Sequence, residues 1–327
     1  MVIRVSAPRM SICIPTVDRL AYLRESVASA QCQHLNELEI LIADDGDSHE
    51  LRQWVLGTAA EDRRVRYLKT PRKLGLAGTW NFLAGSAAGE FITLIGDDDR
   101  LLPTFAERML REVTRDASVV FSNHYFIDET GRRLIDVSLD GTHRYGRDAL
   151  SPGRLANAAA AVWRNSIPMS SCIVRTSDVR RLKFRPDINT PEIELFARLS
   201  LEGPGFVFVP EYLAEYRCHA GSETARGLTL DRLAEYLEAI EVPVDVEPAK
   251  RACLERVLAA GVGIRLARGD IVGARRLCNS RYYARGLTSL VQRLSLSLPE
   301  PLAAGSCAAL HRIGRLARGI ARKAARR

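Results

Sequence analysis

Residues 91–99 read FITLIGDDD, an apolar run that ends in three consecutive aspartates. The run Phe91–Gly96 has the length and composition of a buried β-strand. Three adjoining carboxylates at the end of such a strand repel one another unless a cation or hydrogen-bond donors lie beside them. Because ligands of open α/β sheets bind beyond the carboxyl ends of strands, Asp97–Asp99 predict a hard-cation site that also holds phosphate oxygens. A solvated polar turn is the alternative.

Two further apolar runs have polar exits and favour the ligand-binding interpretation. Residues 38–43 read LEILIA and lead into Asp44–Asp47, and residues 10–14 read MSICI and lead into Pro15–Asp18. Parallel strands bring their carboxyl ends to one edge of a sheet. The three exits are therefore predicted to border one crevice.

Strand and helix patterns alternate over residues 10–121, which predicts an α/β fold with a mostly parallel sheet and helices on both faces. The predicted strands are 10–14, 38–43, 65–68, 90–95 and 117–121, and the predicted helices are 20–30, 82–88 and 104–113.

The remainder of the chain is predicted to form a mixed segment followed by a helical one. Strands are expected near 173–174 and at 206–209, a helix at 191–200, and a mobile loop over the site within 140–168. From residue 226 onward, apolar residues such as Leu230, Leu233 and Leu237 have helical spacing. The predicted domains are 1–225, with halves 1–121 and 122–225, and a helical region 226–327.

Composition narrows the class of protein. The chain has 327 residues and a net charge of +8, and residues 311–327 carry seven Arg or Lys and no acid. Because the charge is a tail rather than a basic face with aromatic platforms, nucleic acid is not an expected partner. Ile313, Leu316 and Ile320 would share one helical face, so the tail is either a solvated end, a helix on an anionic membrane or a partner-binding helix.

The spacing of the cysteines and the length of the apolar runs indicate the metal content and the location of the protein. The seven cysteines form no CxxC pair, which argues against a zinc ribbon and against a disulfide framework. No signal-peptide stretch and no run of about 18 apolar residues occurs. We therefore expect a cytoplasmic protein, with peripheral contact to the inner face of a membrane through 311–327 as the open alternative.

Seven short motifs, read in order, resemble those of the family-2 inverting glycosyltransferases. They are the segments 11–16, 44–47, 75–81, 88–92, 97–99 with Leu101 and Pro103, 191–195 and 216–222. The resemblance covers roughly residues 9–223, and the order and spacing of the motifs are more specific than any one of them. It implies a GT-A fold and transfer from a nucleotide-diphosphate sugar.

The resemblance also implies roles for the donor-binding residues. Asp45 is expected to accept hydrogen bonds from the nucleobase, with Pro15 and Thr16 on the other side of the base. Arg19 and Lys73 would meet phosphate or base oxygens, unless they are solvated. The remaining expected donor contacts are Asp97, toward the ribose or a metal-bound water, and Asn81, for which core packing is an equal alternative.

A divalent metal, Mn²⁺ or Mg²⁺, is implied by the same likeness. Asp98 lies five residues before Pro103, where the family places its metal-binding acid, and His219 is expected to contact the metal or the diphosphate. Asp99 is expected to hold the loop. The chain departs from the commoner pattern at Gly96, which replaces an earlier acid and leaves few protein ligands.

The proposed general base is Glu192, at a predicted helix start after Pro191. The family usually has Asp there, two residues before a second acid, which is Glu194 in this sequence. Alternatively, both glutamates only stabilise the helix N-terminus. Asp18 stands where the family usually has Asn and is better explained as a helix cap or a turn acid.

The expected reaction moves a sugar from a UDP- or dTDP-sugar to a hydroxyl or amine of a saccharide, glycolipid or secondary metabolite. The main alternative is a degenerate module of the same fold that binds a sugar or a partner without catalysis. A nucleotidyltransferase would have a Gly-rich basic loop after the first strand, and a dehydrogenase would have GxGxxG there. Pro15–Asp18 is neither.

Overall fold

The computed structural model describes residues 7–222, 229–284 and 286–298. The chain divides between residues 228 and 229 into two compact units. The first unit contains one nine-stranded sheet, in which eight strands follow the order β3-β2-β1-β4-β8-β6-β9-β5 and β7 pairs with β9.

The predicted parallel strands form one half of the sheet. They are β1 (Met10–Thr16), β2 (Leu38–Asp44), β3 (Val65–Lys69) and β4 (Phe91–Leu94), and each neighbouring pair among them is parallel. All seven residues of β2 are buried, because helices cover a parallel sheet on both faces. Three helices connect these strands: α1 (Leu20–Gln31), α2 (His49–Glu61) and α3 (Gly75–Ser86).

The other half of the sheet is mixed rather than parallel. It contains β5 (Arg100–Leu101), β6 (Ala117–Ile127), β7 (Gly153–Arg154), β8 (Cys172–Arg175) and β9 (Gly205–Arg217). Strand β8 pairs antiparallel with β4 and β6, whereas β6 and β9 are parallel. The helices of this half are α4 (Phe105–Arg111), α5 (Ile135–Arg144), α6 (Ala158–Trp163), α7 (Thr176–Leu182) and α8 (Pro191–Leu201).

Two local predictions need correction. Helix α2 was not predicted, although Ser48 caps it by accepting a hydrogen bond from the Leu51 backbone N–H at 3.2 Å. Part of 140–168 was predicted as a loop, but this segment includes α6. The Asn157 side chain caps α6 at Ala160, and the alanines that follow favour helix. The segment therefore has secondary structure of its own.

The second unit is helical, as its spacing predicts. Its helices are α9 (Leu230–Ala239), α10 (Glu247–Ala267), α11 (Ile271–Cys278) and α12 (Leu287–Leu296). Within the described part of the chain, no helix is long and apolar enough to cross a bilayer. The segment 311–327, which was predicted to contact a membrane, lies outside the described residues.

Candidate active site

The turn after β4 gathers carboxylates around one guanidinium. Asp97 has no exposed side-chain surface, and its carboxylate accepts a hydrogen bond from Thr16 Oγ1 at 2.8 Å. Arg19 pairs with Asp97 at 2.6 Å and with Asp98 at 2.8 Å. Burial raises the pKa of Asp97 to about 6, although the Arg19 charge opposes this and the Asp98 charge adds to it. Thr16, Arg19 and Asp97, which were all predicted to bind the donor, therefore lie together beside Asp98.

Asp98 and His219 converge from distant parts of the chain. The Asp98 carboxylate lies 2.9 Å from His219 Nε2, and both side chains are largely buried. An imidazole nitrogen and a carboxylate oxygen are a suitable donor pair for Mn²⁺, whereas Mg²⁺ prefers oxygen ligands. No group of three or more metal-ligating side chains occurs among the described residues. The pair therefore fits a metal that takes its other ligands from phosphate and water.

Gly96 provides the space into which Asp98 folds. A Cβ at this position would collide with the Asp98 carboxylate and would lie 3.3 Å from Asp99 Oδ2. The glycine that replaces the family's earlier acid therefore allows the observed arrangement of the next two aspartates.

We expect Gly96→Ala to weaken manganese-dependent binding of a nucleoside diphosphate by about tenfold, because the Asp98 carboxylate must move. Isothermal titration of the variant measures this loss. Gly85→Ala is the matched control, since a Cβ there meets no atom within 4 Å. Equal affinities for both variants would contradict a role for Gly96 in placing Asp98.

Asp99 holds the turn to the second half of the sheet. Its carboxylate accepts hydrogen bonds from Ser170 Oγ at 2.5 Å and from the Arg217 backbone N–H at 3.0 Å. Burial, followed by the Asp98 charge, raises the pKa of Asp99 to about 7. The contacts agree with the loop-holding role expected for Asp99.

Arg217 connects four segments of the chain, and no role was predicted for it from the sequence. Its guanidinium donates to the Asp98 backbone oxygen at 2.7 Å and to the Glu129 backbone oxygen at 3.1 Å, and pairs with Glu25 at 2.6 Å. It also lies 4.8 Å from the centre of the Tyr22 ring. The sequence feature that could have indicated this role is the position of Arg217 two residues before His219.

A polar cleft of about 210 Å³ lies beside the exits of β1 and β2. Its lining residues are Asp18, Asp45, Gly46, Asp47, Lys69, Thr70, Pro71, Arg72 and Lys73. The Asp45 carboxylate accepts hydrogen bonds from Thr70 Oγ1 and from the backbone N–H groups of Leu74 and Gly75, at 2.8–2.9 Å. Asp45 therefore shapes the cleft and the start of α3, and Lys73 lies on the cleft wall.

Asn81 and Asp18 bind the protein's own backbone. The Asn81 side-chain amide exchanges two hydrogen bonds of 2.9 Å with the backbone of Phe184, so the packing alternative explains it. The Asp18 carboxylate accepts from the backbone N–H groups of Asp47 and Ser48 at 3.1 and 2.8 Å. This is the turn role expected for Asp18.

The two glutamates of α8 differ in environment. Glu194 is buried and binds Arg198 at 2.7 Å and Arg185 at 3.2 Å, which makes it part of the packing of α8. Glu192 forms no ion pair with any described residue, and burial raises its pKa to about 7. Its charge also helps to raise the pKa of the buried Cys172 thiol, two residues beyond Ser170. A carboxyl group with this pKa can act as a base near neutral pH.

Comparison with known proteins finds similarity within the first unit. Residues 11–160, somewhat less than half of the chain, match the model of glycosyl transferase family 2. This segment is similar to family 2 glycosyltransferases. The GalNAc(5)-diNAcBac-PP-undecaprenol β-1,3-glucosyltransferase of Campylobacter jejuni is 32% identical over 36% of this chain and 38% of its own length. The glycosyltransferase GlyG of Streptococcus pneumoniae is 31% identical over 37% of this chain and 40% of its own length. The chain thus spans about two fifths of these curated relatives.

Solved structures of low sequence identity share the fold. S. aureus TarS 1-349 in complex with UDP-GlcNAc has a TM-score of 0.63 at 12% identity, over 94% of this chain and 92% of that one. The mannosyltransferase PcManGT from Pyrobaculum calidifontis, in complex with GDP-Man and Mn²⁺, has a TM-score of 0.59 at 13% identity. The match covers 93% of this chain and 86% of that one. The chain therefore has the predicted GT-A fold, with helices in its C-terminal part.

Proposed function

We propose that this chain is a metal-dependent inverting glycosyltransferase that moves a sugar from a UDP- or dTDP-sugar to a hydroxyl or amine. The observation that carries the proposal is the convergence of Asp98 and His219, at 2.9 Å, beside the carboxyl ends of the parallel strands. The nucleotide-sugar complexes of the two proteins of similar fold support it.

The donor's nucleoside would lie in the cleft beside β1 and β2. Asp45 uses three of about four acceptor positions on its carboxylate, which leaves one for a base N–H. Pro15 and Thr16 would border the base, and Lys73, on the cleft wall, would meet the phosphates. We assign Asn81 to packing rather than to the donor site, because its amide exchanges two hydrogen bonds with the Phe184 backbone.

Asp98 and His219 would hold Mn²⁺ or Mg²⁺ against the diphosphate, with Asp97 toward the ribose. When bound, such a cation stabilises negative charge on the departing diphosphate. Arg19 pairs with both acids in their present arrangement. A divalent cation would therefore take over a position that Arg19 now neutralises, and the guanidinium would turn to phosphate oxygens.

Glu192 would take the acceptor's proton as the acceptor oxygen or nitrogen attacks the anomeric carbon. The bond from that carbon to the donor's phosphate oxygen breaks on the opposite face, so the configuration inverts. A carboxyl with a pKa of about 7 is half ionised at neutral pH and still a stronger base than an exposed carboxylate. Glu194, which is tied to two arginines, supports α8 and takes no proton.

The name of the Campylobacter jejuni relative gives a lipid-linked saccharide as its acceptor. We propose a saccharide or glycolipid acceptor here, with a secondary metabolite as the alternative. The basic segment 311–327 would bring the enzyme to the inner face of a membrane where such an acceptor lies.

Calorimetric titration of UDP, dTDP and GDP, with and without Mn²⁺, tests the donor site. We expect one diphosphate to bind in a manganese-dependent manner, and we expect Asp98→Asn to weaken this binding at least tenfold because it removes the carboxylate charge. Asp178→Asn is a control, since Asp178 lies in α7 and binds Ser118. Manganese-independent binding of equal strength in both variants would contradict the assignment of Asp98.

A further inference from the structure

Helix α12, the last described helix of the second unit, buries three polar side chains and exposes two of its leucines, while Leu296 is buried. Ser289, Gln292 and Ser295 are buried. Leu290 and Leu294 are 53% and 59% exposed, and Leu298, just beyond the helix, is 39% exposed. We call Leu290, Leu294 and Leu298 the leucine stripe. A helix that packs on a core in water buries its apolar side chains and exposes its polar ones. The leucine stripe has the reverse arrangement, so we expect it to contact a partner.

Hydrogen bonds fix the helix in this orientation. Gln292 Nε2 donates to the Ala259 backbone oxygen of α10 at 2.8 Å, and Gln292 Oε1 accepts from Tyr283 Oη at 2.5 Å. Rotating α12 to bury its leucines would leave these buried polar groups without partners, which is costly. The stripe is thus held outward by its own unit.

The surroundings of the leucine stripe are strongly basic. The described residues 271–284 and 286–298 contain four arginines and no acid. Arg275 of α11 donates to the Leu296 backbone oxygen at 3.1 Å, which holds its guanidinium near the end of the stripe. Arg293 belongs to α12 itself, and its guanidinium lies 5.0 Å from the centre of the Tyr283 ring.

Exposed leucines beside arginines, with no acid among the described residues of α11 and α12, fit an anionic lipid surface. A second copy of the chain would fit less well, because pairing this face with itself would bring like charges together. Among possible occupants, charge complementarity therefore favours a membrane.

We propose that the leucine stripe of α12, together with Arg275 and Arg293, docks this chain on a bilayer that contains anionic phospholipid. The leucines insert at the level of the headgroups, and the arginines contact the lipid phosphates. The proposal does not depend on the transfer chemistry, and it adds a membrane contact to the one proposed for the segment 311–327.

Co-sedimentation of the full chain with phosphatidylcholine vesicles, with and without phosphatidylglycerol, tests this docking. We expect binding only to vesicles that contain phosphatidylglycerol. The double variant Leu290→Ser and Leu294→Ser should bind at least about tenfold more weakly, because it loses two inserted side chains. Leu139→Ser is the matched control, since Leu139 is a 57% exposed leucine of the first unit. Thermal unfolding of each variant verifies that it is folded.

Three results would overturn the proposal. The first is no binding by the native chain to either kind of vesicle. The second is native-like binding by the folded double variant, which would assign the contact to the basic tail alone. The third is a dimer in solution that the double variant converts to a monomer, which would show that a second copy covers the stripe.

Discussion

Glu192→Gln is expected to reduce sugar transfer by about 10²–10⁴-fold, the usual contribution of a general base. The amide has nearly the shape of the carboxyl group and cannot accept the acceptor's proton. Glu192 forms no ion pair with a described residue, so its replacement breaks no packing contact of the kind that Glu194 makes. Donor binding should therefore survive, and calorimetry should give a native-like affinity for the donor diphosphate.

The pH profile is the measurement that identifies the base. Only the ionised carboxylate accepts a proton, and burial raises the pKa of Glu192 to about 7. For the native enzyme kcat/KM should rise with pH and level off above about 7, and it should be about a hundredfold below the plateau at about pH 5. Glu192→Gln should lose this rising limb along with its activity.

Glu194→Gln is the control for this experiment. It changes the neighbouring acid of the same helix and weakens the contacts with Arg185 and Arg198. The variant should be less stable to urea but should retain the rising limb of the pH profile. Native-like transfer by Glu192→Gln would exclude Glu192 as the base. Donor binding without transfer by the native chain, with any acceptor supplied, would favour the degenerate binding module.

Local sequence patterns are sufficient to predict the parallel half of the sheet. The run Phe91–Gly96 and the segment 38–43 are apolar on both faces, and each ends in acids, so pattern and burial agree. The meeting of Thr16 with Asp97 follows from adjacent strands β1 and β4. These predictions succeed because parallel strands bring their ends to a common edge regardless of what lies between them.

Long-range polar contacts are beyond such patterns. Asn81 was grouped with the donor residues, but its amide binds Phe184, 103 residues away. Ser170 binds Asp99 across 71 residues of sequence, and Arg217 binds the Asp98 backbone across 119. The sequence around Ser170 or Arg217 has no pattern that distinguishes either residue from one on the surface. Likewise, Gly and Arg in 140–168 suggested a loop, whereas the alanines and the cap at Asn157 form α6. Tertiary partners determine these roles, and local propensity does not encode them.

Arg217→Met should lower the free energy of unfolding by about 3 kcal/mol or more. The contacts of Arg217 stabilise the fold and also hold the turn that carries Asp98. Its side chain has no exposed surface, and its loss would remove a buried donor from the Asp98 and Glu129 backbone oxygens and from the Glu25 carboxylate. The turn that carries Asp98 would also lose its anchor. Manganese-dependent donor binding should weaken even at temperatures where the variant remains folded.

Urea denaturation and donor titration of the same variants separate the two effects. Arg132→Met is the matched control because Arg132 is 79% exposed and its pair with Asp128 should contribute less than about 0.5 kcal/mol. Arg217→Lys keeps the charge but not the planar fork, so it should recover part of the stability and little of the donor affinity. A native-like unfolding midpoint for Arg217→Met would mean that the turn is held by Asp99 and Ser170 alone. Full stability loss with unchanged donor affinity would mean that Arg217 supports the fold without positioning Asp98.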